Sequence, residues 1–123
     1  MTGIAIGMLV AALLPLVATI AAKAGGKGFS NDEPRAWLAH QEGWRARANA
    51  AQQNLFESLP FFFAAVLFAL YQQADPSTLG VLMAAWVVAR LVYIACYVAG
   101  RGTLRSLVWL AALLINIAIL FSA

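Results

Sequence analysis

The sequence predicts an all-α membrane protein, a bundle of four transmembrane helices. The first observation behind this is composition: of 123 residues, 63% are hydrophobic and only 11% charged, whereas soluble domains are roughly 45–50% apolar and about 25% charged. The second is size, because a soluble chain this short could not hide so much apolar surface in one core. The third is patterning, since the charges fall between long apolar runs. These exclude a disordered chain, a collagen-like repeat and a soluble enzyme. The length suits one domain, residues 1–123. One cysteine excludes an intrachain disulfide, and with one histidine it excludes a Cys/His cluster, so no metal is expected.

A bilayer-spanning helix needs roughly 20 apolar residues. The first span, about 3–22, is uncharged. A cleaved secretory leader is the competing reading, but its leading region would carry Lys or Arg, and here the first cations are Lys23 and Lys27. The second span, about 47–73, has an apolar segment that is short for the hydrocarbon thickness. Extending it towards the N-terminus brings Glu57, Asn54 and Arg47 into the membrane. Pro60 is expected to kink or loosen this helix. The third span, about 79–99, is interrupted by Arg90, and the fourth, about 106–122, contains Asn116, which suits an interhelical hydrogen bond.

Spans one and two are joined by the only substantial loop. It opens on a flexible Gly-rich stretch, 24–28, and continues Ser30-Asn31-Asp32-Glu33-Pro34. Ser30 and Glu33 have capping-box spacing and Pro34 suits a first helical turn, predicting a short surface helix from 34 to about 42. Trp37 and Trp44 are expected at headgroup level.

The net charge of +3 raises the possibility of nucleic acid. The basic residues Lys23, Lys27, Arg35, Arg45, Arg47, Arg90, Arg101 and Arg105 are dispersed instead among apolar runs, so the expected partner is the lipid bilayer, with no nucleic acid. Seven of the eight lie in loops one and three or their adjoining helix ends, Arg90 lies within span three, and loop two carries only Asp75. The positive-inside rule then places loops one and three in the cytoplasm and both termini on the opposite side.

Charged groups at membrane depth are costly and normally face a bundle interior or mark function. Arg47, Asn54 and Glu57 share one helical stripe, and Arg90, Tyr93 and Tyr97 share another on the next span. With Arg101 and Arg105 beyond the third span, two facing stripes would enclose one Arg-rich cleft. Such a cleft suits a small anion with several carboxylates, because guanidinium binds carboxylate bidentately. The structural alternatives are snorkelling for Arg47, positive-inside anchoring for Arg101 and Arg105, and an ion pair of Glu57 with Arg47 or Arg90 that only joins helices. Cys96 reads as a small buried hydrophobe and His40 as solvated.

The stretch Arg45-Ala46-Arg47-Ala48-Asn49-Ala50-Ala51-Gln52-Gln53-Asn54-Leu55-Phe56-Glu57-Ser58-Leu59-Pro60-Phe61 resembles the second-helix signature of the MAPEG family, the membrane-associated proteins in eicosanoid and glutathione metabolism. Its core is Asn-x-x-Glu-x-x-Pro after Arg-Ala elements. Tyr93-x-x-x-Tyr97 followed by Leu104-Arg105 resembles the end of that family's third helix. The resemblance implies a left-handed four-helix bundle, a homotrimer, and glutathione bound as co-substrate between subunits near the cytoplasmic face. It implies binding by Asn54, Glu57, Tyr93 and Tyr97, to which the stripes add Arg47 and Arg90. It makes Arg105 the partner of the thiolate, with Arg101 next in line. The implied activity is that of a glutathione-dependent transferase or peroxidase acting on lipophilic electrophiles. The sequence, including Asn31-Asp32-Glu33-Pro34-Arg35 before the motif, resembles a bacterial branch of that family, which implies an inner (plasma) membrane. Ala50 stands where glutathione-using members carry Arg, and the interval from Tyr97 to Arg105 is one residue longer than in some members. A non-catalytic scaffold that binds an anionic metabolite or lipid headgroup is the alternative.

Overall fold

A computed structural model describes residues 1–123, and every regular element in it is helical. The order is α1 (Thr2–Lys23), α2 (Pro34–Ala39), α3 (Gly43–Tyr71), α4 (Pro76–Val98) and α5 (Gly102–Leu120). Four of these, α1, α3, α4 and α5, are long and apolar enough to cross a membrane.

Each long helix buries one stripe. On α4 it runs Leu79, Met83, Trp86, Arg90 and Tyr93; on α5 it is Ala112, Asn116 and Ile119. Steps of three and four residues are the pattern of coiled-coil-like packing between nearly aligned helices. Alanines carry much of the core on α1 and α3, including Ala11, Ala18, Ala51, Ala65 and Ala69. Small side chains let these two backbones approach closely, which matters where lipid tails are as apolar as the side chains. The outer faces are apolar too, with Leu9, Leu13, Ile20, Leu67, Leu110 and Leu114 all exposed. This inside-out distribution is what a bilayer solvent requires.

The helix ends depart from the sequence-based boundaries for identifiable reasons. α3 begins at Gly43 rather than 47, because its first turn is anchored by other helices. The Arg45 Nη1 donates to the Ala22 carbonyl at the end of α1 (2.9 Å), while Arg47 reaches the other way to the end of α4. α4 begins at Pro76 rather than 79, because Asp75 caps it: its carboxylate accepts from the Thr78 backbone N–H and hydroxyl, both at 3.0 Å. α3 runs without interruption through Pro60, whose ring faces outward.

Loop one also corrects expectation. α2 ends at Ala39, and its N-cap is Glu33 with no side-chain cap. The capping box does not form because Ser30 lies three residues before that N-cap position; its hydroxyl accepts instead from the Asp32 N–H (3.1 Å). Trp37 folds inward rather than standing free at the interface. Its indole N–H donates to the Lys27 carbonyl (3.0 Å) and its ring meets Phe29 edge-on at 5.2 Å. Gly26 lies directly under that ring, where a Cβ would collide with the indole. Trp44 is exposed, with Arg45 stacked on it at 4.3 Å.

Candidate functional site

The polar stripes of α3 and α4 meet at a single short bond. Arg90 is 1% exposed, and its Nη2 donates to the Asn54 Oδ1 at 2.6 Å. The remaining faces of the guanidinium are aromatic: it lies 4.2 Å from the Tyr93 ring centre and 5.9 Å from that of Trp86. Trp86 in turn stacks on Phe62 at 4.0 Å. The Arg90 Nε is buried without a partner. Desolvated cation–π contacts of this kind contribute roughly 2 kcal/mol each, which explains how a guanidinium rests here beside a neutral amide.

The ladder continues towards the loop-one end. Tyr93 and Tyr97 meet edge-to-face at 5.7 Å, and Arg105 lies 4.4 Å over Tyr97. Four residues, Arg90, Tyr93, Tyr97 and Arg105, thus form one continuous stack along α4 and into α5.

The predicted residues line two clefts rather than one. An inner cleft of about 240 Å³ between α3, α4 and α5 holds Asn54, Glu57 and Arg90 against an aromatic wall of Phe61, Trp86 and Trp109. An end cleft of about 100 Å³ at the α4–α5 turn holds Arg47, Tyr97, Arg101 and Arg105. The buried ring of Tyr93 separates them. Arg90 and Tyr97, seven positions apart, sit about 10 Å apart along the axis. The end cleft has three guanidiniums and no carboxylate, an arrangement suited to an anion with several negative groups.

Arg47 is held by the backbone. Its Nε and Nη2 both donate to the Val98 carbonyl, at 3.1 and 3.0 Å. This completes the closure of α4: the Arg101 N–H bonds the Cys96 carbonyl (2.9 Å) and the Gly100 N–H bonds that of Tyr97 (3.1 Å), a Schellman ending. Gly100 takes the left-handed conformation this requires (φ 75°), and a Cβ there would lie 3.6 Å from the Arg47 Nε. Arg47 therefore docks α3 onto the turn that carries Arg101 and Arg105.

Glu57 stands exposed at the rim of the inner cleft. The two guanidiniums that could have formed a purely structural ion pair with it are engaged on Asn54 and Val98 instead. Asn116 also differs from expectation: it is 3% exposed, and its Oδ1 finds no donor between Ala112 and Ile119 on the apolar α5 stripe. His40 is exposed, with its Nδ1 2.7 Å from the Ala36 carbonyl. Cys96 is buried and borders the end cleft. Sequence reasoning missed Trp86 and Trp109. Trp86 was detectable, one turn before Arg90 on the same stripe, whereas Trp109 depends on how α5 packs.

A family model of the MAPEG family matches residues 1–123. No curated protein and no solved structure matches the chain.

Proposed function

The chain belongs to the MAPEG family, and from that premise we propose that it binds glutathione and directs its thiolate at lipophilic electrophiles that partition into the bilayer. The observation that carries this reading is the Arg90–Tyr93–Tyr97–Arg105 stack, which ends in a guanidinium cluster free of carboxylates. Arg47, Arg101 and Arg105 supply charge for the tripeptide's carboxylates and sulfur, Tyr97 adds a polar contact at the same cleft and Asn54 and Glu57 offer theirs from the neighbouring inner cleft, while buried Arg90 and Tyr93 hold Asn54 and Tyr97 in place rather than touch the ligand. Arg105 is the proposed thiolate partner. A free thiol has a pKa near 8.5, and adjacent cations lower it; each unit corresponds to about 1.4 kcal/mol of preferential thiolate stabilisation. The thiolate then forms a C–S bond, and the electron pair of the broken bond leaves with the displaced group or remains on the opened ring. The aromatic wall of the inner cleft is apolar enough to receive the body of such an electrophile.

The proposed assembly is a homotrimer with the tripeptide between neighbouring subunits. Exposed Glu57 at membrane depth supports it, because a carboxylate there needs a partner from outside the protomer. The proposed orientation places loops one and three in the cytoplasm of a bacterial inner membrane. One observation favours the scaffold reading instead: Ala50 supplies no guanidinium on α3, and Arg47, one turn earlier, is engaged on Val98. Ultraviolet difference spectroscopy at saturating glutathione separates the two. The enzyme reading predicts a thiolate band that Arg105→Ala removes with affinity kept within several-fold. No band in the wild type rejects thiolate activation, and a full band in the variant transfers the role to Arg101.

A further inference from the structure

We propose that Trp109 sets the substrate class of the site, selecting electrophiles that carry an aromatic ring beside the reacting carbon; this rests on the glutathione reading above and deepens it. The two clefts do not connect through the bundle, because the ring of Tyr93 separates them. They connect along the helix faces on either side. On α5, Arg105 lines the end cleft and Trp109 the inner one. Four positions place these two on one face, about 6 Å apart along the axis. On α3, Arg47 lines the end cleft and Asn54 the inner one, and Ala50 lies between them on that stripe with only a methyl group. An electrophile whose body rests in the inner cleft while its reacting carbon meets a thiolate at Arg105 therefore runs beside the Trp109 indole.

Of the four tryptophans, Trp109 is the one whose ring has no aromatic or cationic partner. Trp37 meets Phe29, Trp44 carries Arg45 and Trp86 stacks on Phe62. Trp86, on the same cleft wall, is 1% exposed and already stacked, whereas Trp109 is 41% exposed and offers a free face. Lipid anchoring does not account for it. Trp109 stands seven positions into α5, about 10 Å past the helix start, deeper than the headgroup level where anchoring tryptophans concentrate. An aromatic ring laid against an indole gains roughly two- to tenfold in affinity beyond the area it buries, a gain that an alkyl chain lacks.

An aryl enone shows how the two ends would divide the work. Its ring lies along Trp109, and its carbonyl falls on the far side of the reacting carbon, in the end cleft with Arg101. The sulfur forms a bond to the ring-bearing carbon, and the π pair of the alkene shifts so that the carbonyl oxygen becomes an enolate. The neighbouring guanidiniums offset that charge. A proton taken up at carbon replaces the one the thiol lost on ionising. One glutathione is consumed per enone, and no oxidant or reductant enters.

The test measures kcat/KM of the whole protein in mild detergent, at saturating glutathione, for benzylideneacetone and for a straight-chain alkyl enone of equal carbon count. Each value is divided by the uncatalysed rate in the same micelles, so intrinsic reactivity cancels. The wild type should favour the aromatic enone about fivefold, and Trp109→Leu should abolish that preference through KM, because stacking holds substrate and transition state alike. Trp109→Phe keeps an aromatic face and should keep the preference within about twofold. Nitrobenzene, which is flat and inert to thiolates, supplies a readout without turnover. It should quench tryptophan fluorescence saturably in the wild type, and about fivefold less tightly in Trp109→Leu, where Trp86 still reports on the cleft. Unchanged unfolding temperatures check that both variants fold. Turnover of neither enone by the folded wild type would reject the glutathione reading, and the nitrobenzene titration would then decide on Trp109 alone. An unchanged preference in Trp109→Leu, an equal loss in Trp109→Phe, or no saturable quenching in the wild type would overturn the proposal. So would a changed protomer count in Trp109→Leu, which would make the ring a contact between copies of the chain.

Discussion

Asn54→Ala removes the only side-chain acceptor that Arg90 has inside the bundle. The bond is 2.6 Å long and the guanidinium is 1% exposed, so water cannot readily replace the lost partner. A hydrogen bond to a charged group contributes about 1.5–3 kcal/mol, and the Tyr93 and Trp86 rings, which still face Arg90, keep the loss from approaching the full cost of an isolated buried charge. The expected destabilisation is therefore about 1.5–3 kcal/mol. Asn54→Asp places a carboxylate at the same position and should hold stability within about 1 kcal/mol, because its ionic attraction to Arg90 offsets desolvation of the new charge. Replacing both partners by apolar groups, Asn54→Leu with Arg90→Met, removes the buried polar pair and should recover most of the single-variant loss. The assay is equilibrium unfolding in mixed micelles, read by circular dichroism and by tryptophan fluorescence, with coincident transitions required before free energies are compared. Wild type, Asn54→Leu, Arg90→Met and the double variant form a double-mutant cycle with an expected coupling of about 1–3 kcal/mol. An Asn54→Ala loss below about 0.5 kcal/mol, or strictly additive variants, would refute the claim that this bond joins α3 to α4.

Three further outcomes follow from the helix ends and the charge pattern. Gln73 occupies the left-handed position of the α3 Schellman ending (φ 62°), with the Ala74 N–H on the Ala69 carbonyl; Gln73→Gly should raise stability by up to about 1 kcal/mol, measured by the same unfolding assay. Arg47→Gln loses both bonds to Val98 and should cost about 1.5–3 kcal/mol, with faster amide exchange at Gly100 and Arg101 than in the rest of α4 as its local signature. A topology reporter placed in 25–28 should read cytoplasmic and one after Ala123 non-cytoplasmic, and the opposite pair of signals would reverse the proposed orientation.

The four long helices were legible because their apolar stripes repeat at helical spacing and their charges sit between stripes. The pairing of Asn54 with Arg90 was within reach for the same reason, since both lie on inward-facing stripes. The two-cleft layout was not, because it depends on the ring of Tyr93 filling the space between Arg90 and Tyr97. The engagement of Arg47 on Val98 was likewise hidden: the residues are 51 positions apart, and only packing of α3 against α4 brings them together. Helix starts were misplaced where tertiary contacts extend them, as Arg45 and Arg47 extend α3. The α4 start is different, since Asp75-Pro76-x-Thr78 is a local capping signal that the sequence displays openly.

The central functional claim is that this bundle binds glutathione at the arginine-lined end of the Tyr93–Tyr97 stack. Isothermal titration of the detergent-solubilised protein with glutathione tests it most directly. The account predicts saturable binding, lost when the tripeptide's carboxylates are amidated and weakened about tenfold or more by Arg101→Gln combined with Arg105→Gln. Absence of any binding heat or competition at millimolar glutathione, with the protein folded, would contradict it.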